Sequence, residues 1–140
     1  MIVVDASLVV KLFREELNSD LAEQTYAKHR GQLAAPDLLA VEVGAALVRN
    51  ANMDKSSRAF IEIALSEFGE VLRDETIALH RLNARQLALA ANHALDLGHP
   101  LKDCIYLALA MELGCYLVTC DARFAEKAKG VWSGMRVLGE

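Results

Sequence analysis

Proline is nearly absent from this chain of 140 residues, with only two, and eight glycines are too few to build a flexible or low-complexity segment. Disordered, collagen-like and linker-rich classes are thereby excluded. No apolar run approaches the ~20 residues that a membrane-spanning helix needs, the longest being Cys104–Met111. The opening Met1-Ile-Val-Val-Asp5 lacks a basic region ahead of an apolar stretch, so no signal peptide is expected. Three cysteines, at 104, 115 and 120, form no Cys-x-x-Cys pair. Their odd count points to buried, reduced thiols in a cytoplasmic protein. Excess positive charge is missing too: 15 Lys and Arg stand against 19 Asp and Glu, a formal net charge of −4. This speaks against binding nucleic acid through bulk positive field alone, but not against binding it through metal ions.

What the chain does have is apolar surface. Hydrophobic residues make up 54% of it, and the mean hydropathy of +0.21 is high enough to suggest that a partner covers some of them. The length suits one domain, and no repeat or linker divides residues 1–140. Ile2–Asp5, Leu33–Pro36, Tyr116–Thr119 and Arg136–Leu138 read as short strands, with another expected over Glu70–Arg73. Helices are expected over Ala6–Phe13, Asn18–Arg30, Leu38–Arg49 (capped by Asp37), Asp54–Phe68 (stopped by Gly69), Thr76–Leu97, Lys102–Leu113 and Ala122–Lys129. Strands alternating with helices imply an α/β domain: a central parallel sheet flanked by helices on both faces.

Four acids break the apolar pattern. Asp5 ends a buried strand, and Asp121 follows the strand Tyr116–Thr119 by two residues. In an open parallel sheet, the carboxyl ends of the strands line one edge, so these two acids would share a crevice. Glu42 sits among apolar and small residues of a helix, where an unpaired carboxylate would cost several kcal/mol. Asp103 stands in the first turn of an otherwise apolar helix. Singly, Asp5, Asp103 and Asp121 fit helix caps, and Glu42 fits an exposed residue or an arginine partner. Jointly they describe an all-oxygen site, since converging carboxylates repel unless cations intervene. Hard oxygen ligands without His or Cys favour Mg²⁺ or Mn²⁺ over zinc. Such a site can activate a water and stabilise the leaving oxygen of a phosphodiester.

In order along the chain stand Ile2-Val-Val-Asp5-Ala-Ser7, then Pro36-Asp-Leu-Leu-Ala-Val-Glu42-Val with Ala46-Leu47. Lys102-Asp103-Cys-Ile-Tyr-Leu-Ala-Leu-Ala110 and Leu117-Val-Thr119-Cys-Asp121-Ala-Arg-Phe124 follow. With these four blocks the chain resembles the PIN-domain nucleases nearly end to end, and within them the VapC-type toxins of toxin–antitoxin pairs. The resemblance implies an endoribonuclease that uses Mg²⁺ or Mn²⁺, is inhibited by a cognate antitoxin and forms a homodimer. It makes Asp5, Glu42, Asp103 and Asp121 the metal-binding acids, Thr119 the hydroxyl residue ahead of the last acid, and Ser7 the small polar residue after the first. Cys104 and Cys120 stand where the family more often has small residues such as Ala.

The residues themselves suggest matching roles. Asp5, on a rigid strand end, is the expected central ligand, completed by Asp103 and Glu42, while Asp121 holds a second ion or positions the attacking water. The hydroxyls of Thr119 and Ser7 would bond a carboxylate or a phosphate, or serve as turn hydroxyls. Lys11, Arg14, Lys102, Arg123 and Lys127 lie close in sequence to the acids and are candidates for RNA backbone contacts, or else a solvated face. His29, His80, His93 and His99 show no ligand spacing, and Tyr106 and Trp132 suit core packing better than base stacking. The helices over residues 18–30, 38–49 and 54–68 are expected to offer a partner groove. Other readings stay open: a non-catalytic metal- or partner-binding module, or a phosphatase with Asp5 as nucleophile. The phosphatase pattern would want an acid at Ser7, and a receiver domain would want a lysine closing a late strand.

Overall fold

The computed structural model describes residues 1–140. Five strands form one parallel sheet: β1 (Ile2–Val4), β2 (Leu33–Pro36), β3 (Ile77–His80), β4 (Tyr116–Thr119) and β5 (Met135–Val137). Their order is β3-β2-β1-β4-β5. Every neighbouring pair is parallel, with Val3 opposite both Ala34 and Leu117. Central strands of this kind have no solvent face, which explains why β1 and β2 are buried throughout.

Seven α-helices connect the strands: α1 (Ala6–Phe13), α2 (Ser19–Lys28), α3 (Leu38–Met53), α4 (Arg58–Arg73), α5 (Ala84–Leu97), α6 (Leu101–Leu113) and α7 (Ala122–Ala128). Helix α6 lies across β1, β2 and β4 with α5 against it, while α1, α3 and α4 pack together over the sheet's other face. Between sheet and α5, seven successive α6 residues, Cys104–Ala110, are buried. A helix apolar on all sides is stable only in such a sandwich. The buried apolar residues of both faces join in one cluster of 31. No helix is long and apolar enough to cross a membrane.

Chain order reverses at β1. The chain steps outward from β1 to β2 and β3, then returns to place β4 on the other side of β1. The carboxyl ends of β1 and β4 therefore flank the switch point, where an open α/β sheet has its crevice.

Several expectations need correction. Gly69 does not stop a helix, and Glu70–Arg73 is not a strand: α4 runs through both to Arg73. It ends in a Schellman motif, with Thr76 N–H on the Val71 carbonyl and Glu75 N–H on that of Leu72. Glu75 takes the left-handed conformation (φ 54°) that glycine normally marks, so composition gave no cue to the end. Thr76–Leu97 is not one helix but β3 followed by α5. Ile77–His80 pairs residue for residue with Leu33–Pro36, and that tertiary pairing outweighs helical periodicity. Helix α5 starts at a capping box in which Asn83 and Gln86 bond each other's backbone, a signal present in the sequence. Asp54 caps a 3₁₀ turn over Lys55–Ser57 that precedes α4. Asp37 makes no side-chain cap, because its own backbone is already helical (φ −61°, ψ −18°).

The uninterrupted course of α4 has a measurable consequence. A Cβ placed on Gly69 meets nothing within 4 Å. Gly69→Ala should raise the unfolding free energy by about 0.5–1 kcal/mol, as read from urea denaturation. Gly98→Ala, at a φ of +61°, should lower it. A loss at Gly69 would contradict an open helical position there.

Candidate metal centre

Two of the four acids, Asp5 and Asp121, occupy junctions between a strand and a helix. Asp5 leaves β1 and caps α1, its Oδ1 accepting from the Leu8 backbone N–H at 3.1 Å and from the Ser7 hydroxyl at 2.6 Å. Its Oδ2 accepts from the hydroxyl of Thr119 at the end of β4. Thr119 is fully buried, and its oxygen in turn accepts from the Asp121 N–H at 3.0 Å. One hydroxyl thus ties the first acid to the last across 116 positions of sequence. Asp121 caps α7 through the Phe124 N–H at 2.9 Å. For Asp5 and Asp121, capping and membership of a shared site are one arrangement.

Asp103 projects from the first turn of α6 and caps nothing; its Oδ2 lies 2.6 Å from His99 Nε2. Ligand atoms of His99, Asp103 and Asp121 all lie within 4.8 Å of one another. Glu42 approaches from α3, and its Oε1 accepts from the Tyr106 hydroxyl at 2.7 Å. Lys102 Nζ stands 3.7 Å from its other oxygen. Burial first, then the carboxylates of Glu42, Asp5 and Asp103, holds the Tyr106 pKa far above its usual value, so this phenol is a permanent donor. Three helices, α1, α6 and α7, turn their N-termini towards the site, and their free N–H groups offset part of the repulsion among the acids.

That compensation is incomplete. Burial pushes Asp5 up from 3.8 to about 6, against the opposing bonds from Ser7, Thr119 and Leu8, and the charge of Asp103 adds to the rise. A carboxylate so placed would be stabilised by a cation, and the donor set suits one. Asp103 and Asp121 each keep one oxygen outside any hydrogen bond of the chain, and the Glu42 oxygen not bonded to Tyr106 faces only the ammonium of Lys102, 3.7 Å away. Hard divalent ions prefer such carboxylate oxygens.

The other expected residues fare differently. Ser7 spends its hydroxyl on Asp5 and also accepts from the Cys120 N–H at 3.3 Å. Lys11 lines a cleft of about 410 Å³ between α1 and α3, which also reaches Arg14, Arg49, Lys102 and Glu42. Within it, Lys11 and Arg14 are both paired with Glu16, at 2.9 and 2.7 Å. Arg123 is exposed on α7, and Lys127 bonds the Gly98 carbonyl. Of the cysteines only Cys104 is buried, although all three are free. Burial and the neighbouring Asp103 push the Cys104 thiol up to about 11, which removes it as a nucleophile beside the acids. Trp132 donates to the Cys115 carbonyl and belongs to the core edge.

Two residues of the site escaped the sequence reading. For Tyr106 the sequence favours core packing over base stacking, and its spacing from Glu42 carries no signal because the two meet only through the fold. His99 was set aside with the other histidines, yet its spacing of four from Asp103 on the entry to α6 was visible.

Comparisons with known proteins show the family and the fold. The family model for the PIN domain matches residues 2–130. Ribonuclease VapC3 of Pyrobaculum aerophilum is 34% identical over 131 residues, spanning 90% of this chain and 93% of that protein. Among solved structures, PAE2754 from Pyrobaculum aerophilum has a TM-score of 0.64 at 22% identity, covering 98% of this chain and 88% of that one. A toxin–antitoxin complex from Klebsiella pneumoniae has a TM-score of 0.68 at 18% identity, covering 100% of this chain and 99% of that one. These two structures establish the likeness of fold.

The raised pKa of Asp5 sets a pH dependence with a definite sign. Between 3.8 and about 6 the folded chain holds a proton that the unfolded chain has lost. The stability this contributes is full at lower pH and lost as pH rises through about 6. In chelator at about pH 8, Asp5→Asn should be the more stable form, by no more than about 3 kcal/mol at ~1.4 kcal/mol per unit. The difference should close towards pH 4, and Mg²⁺ or Mn²⁺ should stabilise the wild type alone. Thermal melts across this range test it; a variant less stable than wild type at the alkaline end contradicts it.

Proposed function

This chain belongs to the PIN-domain family, and from that premise we propose that it is a divalent-metal-dependent endoribonuclease, the toxin of a type II toxin–antitoxin pair. The observation that carries the reading is the meeting of Asp5, Thr119 and Asp121 at the switch point of the sheet, with Asp103 and Glu42 brought in from α6 and α3. Similarity to a ribonuclease over nine-tenths of the chain supports it independently. Residues 1–140 act as one domain in this reading, in the cytoplasm, where the RNA of the cell is accessible.

Asp5, Asp103, Asp121 and Glu42 would hold Mg²⁺ or Mn²⁺, which when bound supplies an activated water and charge stabilisation for the leaving oxygen of a phosphodiester. Thr119, with no exposed surface, is a positioning residue that fixes Asp5 and the start of α7, not a group that touches RNA. Ser7 has the same function from the opposite side of Asp5. Tyr106 holds Glu42 in place. Arg49 and Lys102 at the cleft give the RNA backbone its local positive charge, with Lys11 beside them and Arg123 at the α7 side. An otherwise acidic protein can therefore engage a polyanion where the ions and these cations coincide.

Five of the thirteen exposed large hydrophobic residues lie on α3 and α4. Val41, Val48 and Met53 on α3 and Phe60 and Ile63 on α4 are exposed. We assign this face to protein partners, a second copy of the chain and an antitoxin segment, as the groove expected over these helices. Light scattering should give a mass twice the 15.3 kDa of the chain. Val48→Asp and Phe60→Asp together should halve it without loss of fold. A wild type that stays monomeric and binds no co-expressed small protein would remove the partner assignment.

Cleavage of an RNA panel tests the activity. It should require Mg²⁺ or Mn²⁺, stop with EDTA, and fall at least about a hundredfold in Asp5→Asn, more than the 10–100-fold typical of a residue behind the ligands. Thr119→Val should lose about ten- to a hundredfold for that latter reason. Cleavage that survives both chelation and Asp5→Asn would sink the proposal, and metal binding without cleavage would make the chain a non-catalytic PIN module.

A further inference from the structure

His99 stands in the turn between α5 and α6, between Gly98 in its left-handed conformation and Pro100. Its side chain is only 8% exposed. Asp103 is an acceptor, so the 2.6 Å contact is a bond from the Nε2–H of His99 to Asp103 Oδ2. The imidazole stacks on Phe124, with centroids 4.5 Å apart and planes at 23°. Phe124 is itself buried, and its backbone N–H donates to Asp121 Oδ1 in the cap of α7. Phe124 thus serves two acids: Asp121 through its backbone, and Asp103 through the ring that supports His99. A second tie, from Lys127 Nζ to the Gly98 carbonyl at 3.3 Å, fastens the same turn to α7.

We propose that His99 is a positioning residue of the metal centre, holding Asp103 against Asp121 without ligating the ion. This rests on the metal-dependent reading above. Asp103 stands in the first turn of a helix with no cap to hold it, and a free carboxylate there would sample several rotamers. The bond to His99 selects one and leaves Oδ1 for the cation. Ligating carboxylates and imidazoles are commonly held in this way by hydrogen bonds from behind. Direct ligation by His99 would require Nε2 to give up its hydrogen and its bond to Asp103, and an imidazole ligand would tilt the site away from Mg²⁺.

Mn²⁺ binding followed by electron paramagnetic resonance, with melting in chelator alongside, distinguishes these. His99→Phe keeps a ring to stack on Phe124 but has no donor. It should weaken Mn²⁺ binding about ten- to a hundredfold with an unchanged melting temperature in chelator. His99→Gln, whose amide can donate to Asp103, should recover most of the affinity. Pulsed spectra of the wild type should show no directly bound nitrogen. Full Mn²⁺ affinity in His99→Phe overturns the positioning role while leaving the nuclease reading intact. Directly bound nitrogen in the wild type overturns it in favour of ligation, and this measurement needs no variant to fold. A wild type that binds no Mn²⁺ overturns both readings.

Discussion

Negative charge gathered at one end of a parallel sheet is the constraint around which this molecule is arranged. Asp5, Asp103, Asp121 and Glu42 come from four separate elements, and the one lysine or arginine paired with any of them is Lys102, 3.7 Å from Glu42. The chain itself tolerates the arrangement by partial measures: helix N-termini, hydroxyl donors and, at Asp5, a raised pKa. A divalent cation bound by these carboxylates would offset their mutual repulsion.

The supporting contacts form a graded structure. Hydroxyls from Ser7 and Thr119 hold Asp5 from two sides, and Thr119 passes its influence to the backbone of Asp121. Tyr106 reaches Glu42 from α6, the helix that also carries Asp103. Because α6 is locked by apolar contact on every side, both acids inherit the rigidity of the core. Packing and chemistry are joined at this helix: the burial that stabilises the sheet also fixes where the carboxylates stand. Phe124 plays the corresponding part at the start of α7, serving the core with its ring and the site with its backbone.

Under the proposed activity, such a site would let a chain of net charge −4 engage RNA. Bulk attraction is absent, so affinity must be local and carried by ions and by a few side chains such as Arg49 and Lys102. Lys11 and Arg14, for which backbone contacts were also considered, are largely spoken for by Glu16. Proximity in sequence to an acidic motif therefore overstated the number of cations available to a phosphate.

Much of this was legible in the amino-acid order. Short β-branched runs and helix-ending glycines at 98 and 114 placed four of the five strands, and acids interrupting apolar segments singled out the four carboxylates as candidates. These signals are local: a buried strand must be apolar, and a charged group inside an apolar helix needs a reason. The edge strand β3 was missed because four residues of helical-looking sequence become a strand only when β2 lies beside them, and the end of α4 because Glu75 does what glycine usually does. The tie of Tyr106 to Glu42 and of Thr119 to Asp5 spans 64 and 114 positions, and no spacing rule reaches that far. By itself, then, the sequence determined which residues were chemically out of place, since that depends only on near neighbours. The tertiary structure alone decided which of them meet and which hydroxyl or imidazole stands behind each, because those contacts exist only after the sheet has closed its order around β1.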